Sequence, residues 1–142
     1  MVLYARTLCK IKGHPGLYNS MIRIDYAPCR LTSPHTHPRA TEILKELYKL
    51  GLSFLITPIT VLSPRCCKRV MFSCSLCVGL VHFQRNVGNV YAVAIAGLSS
   101  QNPGAITMTN AVFGTNPPIP VDILAKAFQV DKSVVDQLIS KF

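Results

Sequence analysis

The chain is short of acid and has no long apolar run. It carries 6 acidic residues against 15 lysines and arginines, a formal net charge of +9. Its longest apolar stretches, Leu50 to Leu62 and Val90 to Leu98, are too short or too interrupted to supply the roughly 20 residues of a spanning helix. Membrane insertion is therefore excluded, and the chain reads as soluble. The acid deficit invites a nucleic-acid reading, but there is no basic helix and no interleaving of basic with aromatic residues, so nucleic acid is excluded as a partner. The charge is also uneven. Lys126, Lys132 and Lys141 are balanced by Asp122, Asp131 and Asp136, which leaves the whole excess upstream of residue 121. No Asn-x-Ser/Thr glycosylation site is present. Residues 1–16 contain Arg6, Lys10 and Lys12 and no continuous apolar core, so they do not read as a secretory signal. At 142 residues the chain is long enough for one domain with a real core.

What is present is a run of metal-ligand chemistry, Pro34-His35-Thr36-His37-Pro38-Arg39-Ala40-Thr41-Glu42. Strand side chains alternate in direction, so His35 and His37 share a face and Thr36 points away. Glu42 lies five residues beyond His37 and needs an irregular turn or a neighbouring strand to bring its carboxylate back. Pro34 and Pro38 suit a strand end, where a missing N–H is tolerated. A fourth donor, His82, sits in the apolar run Gly79-Leu80-Val81-His82-Phe83-Gln84. Three imidazoles and a carboxylate suit manganese, iron, zinc or copper. Spacing alone makes an H-x-H pair weak evidence for any of them.

These two motifs, with Arg23-Ile24-Asp25-Tyr26-Ala27-Pro28 ahead of the first, Ala92 to Gly104 and Asn110 to Gly114, resemble the germin-like proteins, a plant family within the cupins. The resemblance covers residues 13–44 and 78–142. It implies an all-β cupin jelly-roll barrel over residues 17–120, with C-terminal helices over 121–142 forming a short tail. It also implies manganese held by His35, His37, Glu42 and His82, a homo-oligomer (a hexamer), secretion to the apoplast, association with the cell wall and a role in plant defence. Superoxide dismutation is the activity it suggests. Oxalate oxidation is not expected, because the two asparagines that hold oxalate in true germins correspond to Ile22 and Thr32.

The sequence departs from the family in three places. Residues 1–16 lack its signal and its disulfide-bearing segment, so the start reads as truncated. Cys29 and Arg30 replace two glycines where the family's backbone turns tightly. From Lys45 to Cys77 the resemblance stops, and four of the six cysteines, Cys66, Cys67, Cys74 and Cys77, fall there. They could form a zinc site, but a different origin explains them. The family's Phe-Ser-Lys-Val-Leu-Gln-Lys-Gly-Asp-Val-Phe-Val-Phe-Pro, written in ordinary codons and read one base later, yields Ser63 to Leu76. Residues 45–77 thus read as a germin-like coding sequence translated out of frame, which puts the register into His82 at issue, since a one-residue slip turns a strand side chain outward.

The periodicity predicts strands at Met21–Tyr26, His35–His37, Val70–Leu76, Val81–Phe83, Tyr91–Leu98 and Ala105–Thr109. It predicts helices at Pro120–Phe128 and Asp131–Phe142, the latter with Asp131 as N-cap. Three functional readings compete: a manganese enzyme, a non-enzymatic extracellular binding or structural cupin, and a disabled product of a damaged gene.

Overall fold

The computed structural model describes residues 4–10, 19–48, 52–56, 73–76 and 78–142. Cys66, Cys67 and Cys77, and most of the stretch expected to be out of frame, lie outside the described residues. The chain divides into two compact units, Met1–Ala105 and Ile106–Phe142.

Among the described residues the first unit holds eight strands: β1 (Tyr4–Lys10), β2 (Ser20–Tyr26), β3 (His35–Thr36), β4 (Glu42–Tyr48), β5 (Leu52–Ile56), β6 (Ser73–Leu76), β7 (His82–Asn86) and β8 (Ala92–Leu98). They form an antiparallel sheet of order β1-β2-β8-β4-β6 and a second one in which β7 lies between β5 and β3. Sequence neighbours such as β2 and β3 therefore fall in different sheets, as a jelly-roll requires.

The core follows from strict alternation along β8, where Ala92, Ala94, Ala96 and Leu98 are buried and the residues between them are not. Because three of the four inward side chains are alanines, the neighbouring strands supply the bulk, with Ile24 and Tyr26 from β2 and Leu44 from β4. Leu44 and Ile22 both stand opposite Ala96. The inward face of β7 is polar instead, with His82, Gln84 and Asn86 buried. Asn86 satisfies itself by donating to the carbonyls of Ala27 (3.1 Å) and Val90 (2.7 Å) and accepting from the Gly88 N–H (2.9 Å). Buried amides are retained where the backbone uses them in this way.

Several expectations need revision. The strand foreseen over Ala105–Thr109 is only Ile106–Thr107 (β9), and the chain then turns into α1 (Met108–Phe113). The β-branched residues there read as strand, but Gly114 closes a helical turn by donating its N–H to the Asn110 carbonyl at 3.1 Å. β1, β4 and β5 were not foreseen at all. α2 (Val121–Phe128) and α3 (Lys132–Ile139) match the expected helices to within a few residues. Asp131 is the N-cap of α3 by position, yet its side chain makes no capping hydrogen bond. Cys29 has φ 60°, a left-handed conformation that glycine adopts without penalty and a β-carbon does not.

Candidate metal centre

The turn after β3 settles how Glu42 returns. The chain leaves β3 at Thr36 and crosses to the other sheet. Glu42 is the first residue of β4, buried at 3 % exposure. His82 opens β7, is equally buried, and stands directly opposite His35 in the ladder. The inward orientation of His82 resolves the register question. Gly79, with φ +75°, donates its N–H to the His37 carbonyl at 3.1 Å and fixes the turn that leads into β7.

One donor atom from each of His35, His37, Glu42 and His82 lies within 4.8 Å of all the others, close to the span of donors around a single ion. The imidazole rings cluster, with centroids 4.3 Å apart for His35 and His82 and 5.2 Å for His35 and His37. Glu42 Oε2 lies 3.0 Å from His82 Nε2 and 3.3 Å from His37 Nε2. Neither approach is aligned as a hydrogen bond. Glu42 Oε2 and His82 Nε2 are buried without a hydrogen-bond partner among the described residues. Buried polar atoms left in this way are costly, and a cation between them removes the cost.

The tautomers point the same way. His35 Nδ1 lies 2.8 Å from the Ser33 carbonyl, His37 Nδ1 2.6 Å from the Gly104 carbonyl and His82 Nδ1 3.0 Å from the Leu80 carbonyl. A carbonyl only accepts, so each Nδ1 carries the proton and each neutral ring keeps a bare lone pair on Nε2. These are the outer acceptors that orient metal-ligating histidines. The donor set and its orphaned atoms therefore fit a divalent metal ion.

Electrostatics reinforce the fit. Burial pushes the Glu42 carboxyl up, but the His37 and His82 imidazoles outweigh it and bring the pKa to about 2. Burial pulls His37 down, yet Glu42 and the Gly104 carbonyl hold it above 6.5. Burial keeps His35 below 6.5. The signs define a test on the metal-free protein. Lowered, Glu42 contributes stability that is present above pH 4.5 and lost as pH falls toward 2. Between 4.5 and 6.5 the two histidines oppose each other, because protonation of His37 favours the fold and protonation of His35 disfavours it. In thermal melts against pH, the stability difference between the wild type and Glu42→Gln should shrink from pH 4.5 downward. A constant difference over that range would contradict the assignment.

Beside the centre, Tyr26 is fully buried and its hydroxyl donates to Gln84 Oε1 at 3.4 Å. Burial, helped by the Glu42 charge, raises its pKa and keeps it protonated. The Thr32 hydroxyl is engaged with the same residue, donating to Gln84 Oε1 and accepting from the Gln84 backbone N–H at 2.8 Å. Ile22 packs on the core. The carbonyls of Ser33, Leu80 and Gly104, and Gln84 itself, were not foreseen as parts of the site. A backbone acceptor carries no side-chain signature, although Gly79-to-Gln84 and the run ending in Gly104 were already marked by family resemblance.

Comparison with known proteins agrees with this geometry. A family model described as Cupin matches residues 77–136. Germin-like protein 8-6 of Oryza sativa subsp. japonica is 49% identical over 145 residues, covering 96% of this chain and 63% of its own length. Germin-like protein 12-1 of the same plant is 50% identical over 138 residues, covering 94% and 60%. An oxalate oxidase solved in complex with the substrate analogue glycolate superposes with a TM-score of 0.69 at 38% identity, covering 89% of this chain and 64% of that one. The chain thus spans a little under two thirds of the length of these relatives. With the two-sheet topology and the His/His/Glu/His group in place, the chain belongs to the germin-like proteins and has the cupin jelly-roll fold.

Proposed function

We propose that this chain is a manganese-binding germin-like protein of the plant cell wall space, with a role in defence and superoxide as its substrate. The observation that carries the reading is the convergence of three Nε2 lone pairs, each fixed by a protonated Nδ1 on a backbone carbonyl, with the orphaned Glu42 Oε2. Manganese is the metal the family implies. When bound, such an ion supplies one-electron exchange with a small oxidant at its open coordination positions.

The chain's own residues supply the rest. Glu42 and His82 are the closed floor of the site, while His35 and His37 are partly exposed, so a small anion approaches from their side. Glu42 brings the only negative charge among the four donors and offsets part of the metal's charge. Oxidation of oxalate is not part of the proposal. Ile22 offers no polar group, and the Thr32 hydroxyl is already engaged by Gln84, so neither position can hold a dicarboxylate as an amide would.

Superoxide turnover by manganese-loaded wild type, compared with His82→Ala, tests the reading. Activity well above free manganese in the wild type and near background in the variant is expected, with no oxalate turnover in either. Equal activity in both would sink the enzymatic reading and leave the second one, a binding or structural cupin. The spread of the donors over both sheets favours that alternative, since an ion there would stabilise the fold without turnover. Assembly is part of the same proposal. The C-terminal segment leaves Ile123 (53 %), Phe128 (51 %) and Phe142 (54 %) exposed, and exposed apolar side chains of this size suit packing against a second copy in the hexamer the family implies.

A further inference from the structure

The three histidines are not oriented in the same way. His35 and His82 each donate Nδ1–H to a carbonyl two residues earlier in their own segment, Ser33 and Leu80. Those contacts form with the strand itself. His37 donates to Gly104, 67 residues away, so its orientation depends on a tertiary contact with the loop Ser99–Gly104.

That loop is fastened to the chain between the motif histidines and Glu42. The Arg39 N–H donates to the Pro103 carbonyl at 3.1 Å. The Arg39 guanidinium clasps Asn102, with Nε on the backbone carbonyl at 2.8 Å and Nη2 on the side-chain oxygen at 2.9 Å. At the far end, the Ser99 hydroxyl accepts from the Thr41 N–H at 2.9 Å, and the Ser99 N–H donates to the Thr41 carbonyl at 3.0 Å. Gly104 itself has φ +67°, and a β-carbon there would meet Arg39 Nη2 at 3.0 Å and Pro38 Cγ at 3.2 Å. Only glycine lets the backbone carry its carbonyl to His37 with the guanidinium packed over it.

We infer that Arg39, by clasping Asn102, is a positioning residue that presents the Gly104 carbonyl to His37 and so sets one corner of the metal centre. The inference rests on the reading of His37 as a ligand and deepens it. A planar fork with two fixed donors does this, and a lysine ammonium does not reproduce it.

The test is manganese affinity, together with the tautomer of each histidine in the metal-free protein read by long-range nitrogen–proton NMR. Arg39→Ala should weaken manganese binding about 10-fold, the lower end of what loss of an outer contact costs. Arg39→Lys should show most of that loss. In both, the Nδ1–H signature of His37 should fade while those of His35 and His82 persist. Wild-type affinity with an unchanged His37 signal overturns the inference, and so does a loss in which all three histidines change together, because that reports general loosening of the fold. If Arg39→Ala fails to fold, Asn102→Ala removes one arm of the clasp and is read by the same criteria. Should the wild type itself bind no manganese, the metal reading falls, whereas the selective tautomer change at His37 still decides whether the clasp exists.

Discussion

Glu42→Gln is expected to weaken manganese binding by more than about 100-fold, beyond the range seen when only an outer contact is lost. The substitution keeps the shape of the side chain and removes the one charge among the four donors. The carboxylate sits at 3 % exposure with Oε2 unpartnered. A neutral amide there offers either a weaker oxygen donor or an N–H₂ that repels a cation. The measurement is the rise in melting temperature on adding manganese. Ligand at 100 times its dissociation constant stabilises a fold by about 2.7 kcal/mol, so the wild type should show a clear rise, and the variant, more than about 100-fold weaker, a gain under about 0.4 kcal/mol at the same concentration. An equal rise in both would mean that the ion binds elsewhere.

The largest loss of stability is expected from Leu44→Ala. Removing a buried leucine side chain costs about 2–5 kcal/mol, depending on how far the surroundings collapse into the hole. Here they can collapse little. Leu44 is 1 % exposed and faces Ala96, with Ala92, Ala94 and Ala40 in the same cluster. Alanines have no side-chain torsion through which to reach a neighbouring void, so the cost should fall near the top of that range. Domains of this kind have only about 5–15 kcal/mol in total, and the variant should unfold at a much lower denaturant midpoint with an unchanged slope. A cost under about 1 kcal/mol would show that Leu44 is not packed as described. The same change at Ile43, 56 % exposed on the other face of β4, is the control and should have little effect.

How far the sequence could be read depended on what kind of group was involved. The alternation in Tyr91–Leu98 marked β8 because its buried face is unbroken, and the amphipathic spacing after Asp131 marked α3. The four donor residues were found from motif spacing and family resemblance, and the structure places them together. The route of Glu42 was legible only as a choice between an irregular turn and a neighbouring strand, because alternation counts residues only while a strand continues and the change of sheet happens in the turn at Pro38 and Arg39. α1 was hidden by Thr107, Thr109 and Val112, whose branched side chains favour strands in isolation. The acceptors on the three imidazoles were out of reach for a simpler reason, since any residue type can present a carbonyl.

The donors divide between the sheets, with Glu42 opening β4 and His82 opening β7 forty residues later. An ion gripped by both is a covalent-like tether that closes the intervening chain into a ring. The entropy of such a closure depends on the number of residues enclosed and only weakly at that, about 0.6 kcal/mol for each doubling. It is blind to what those residues are. The ring enclosed here contains the whole of the stretch 45–77 where the sequence leaves its family, so the grip at its two ends can outlast extensive rewriting between them.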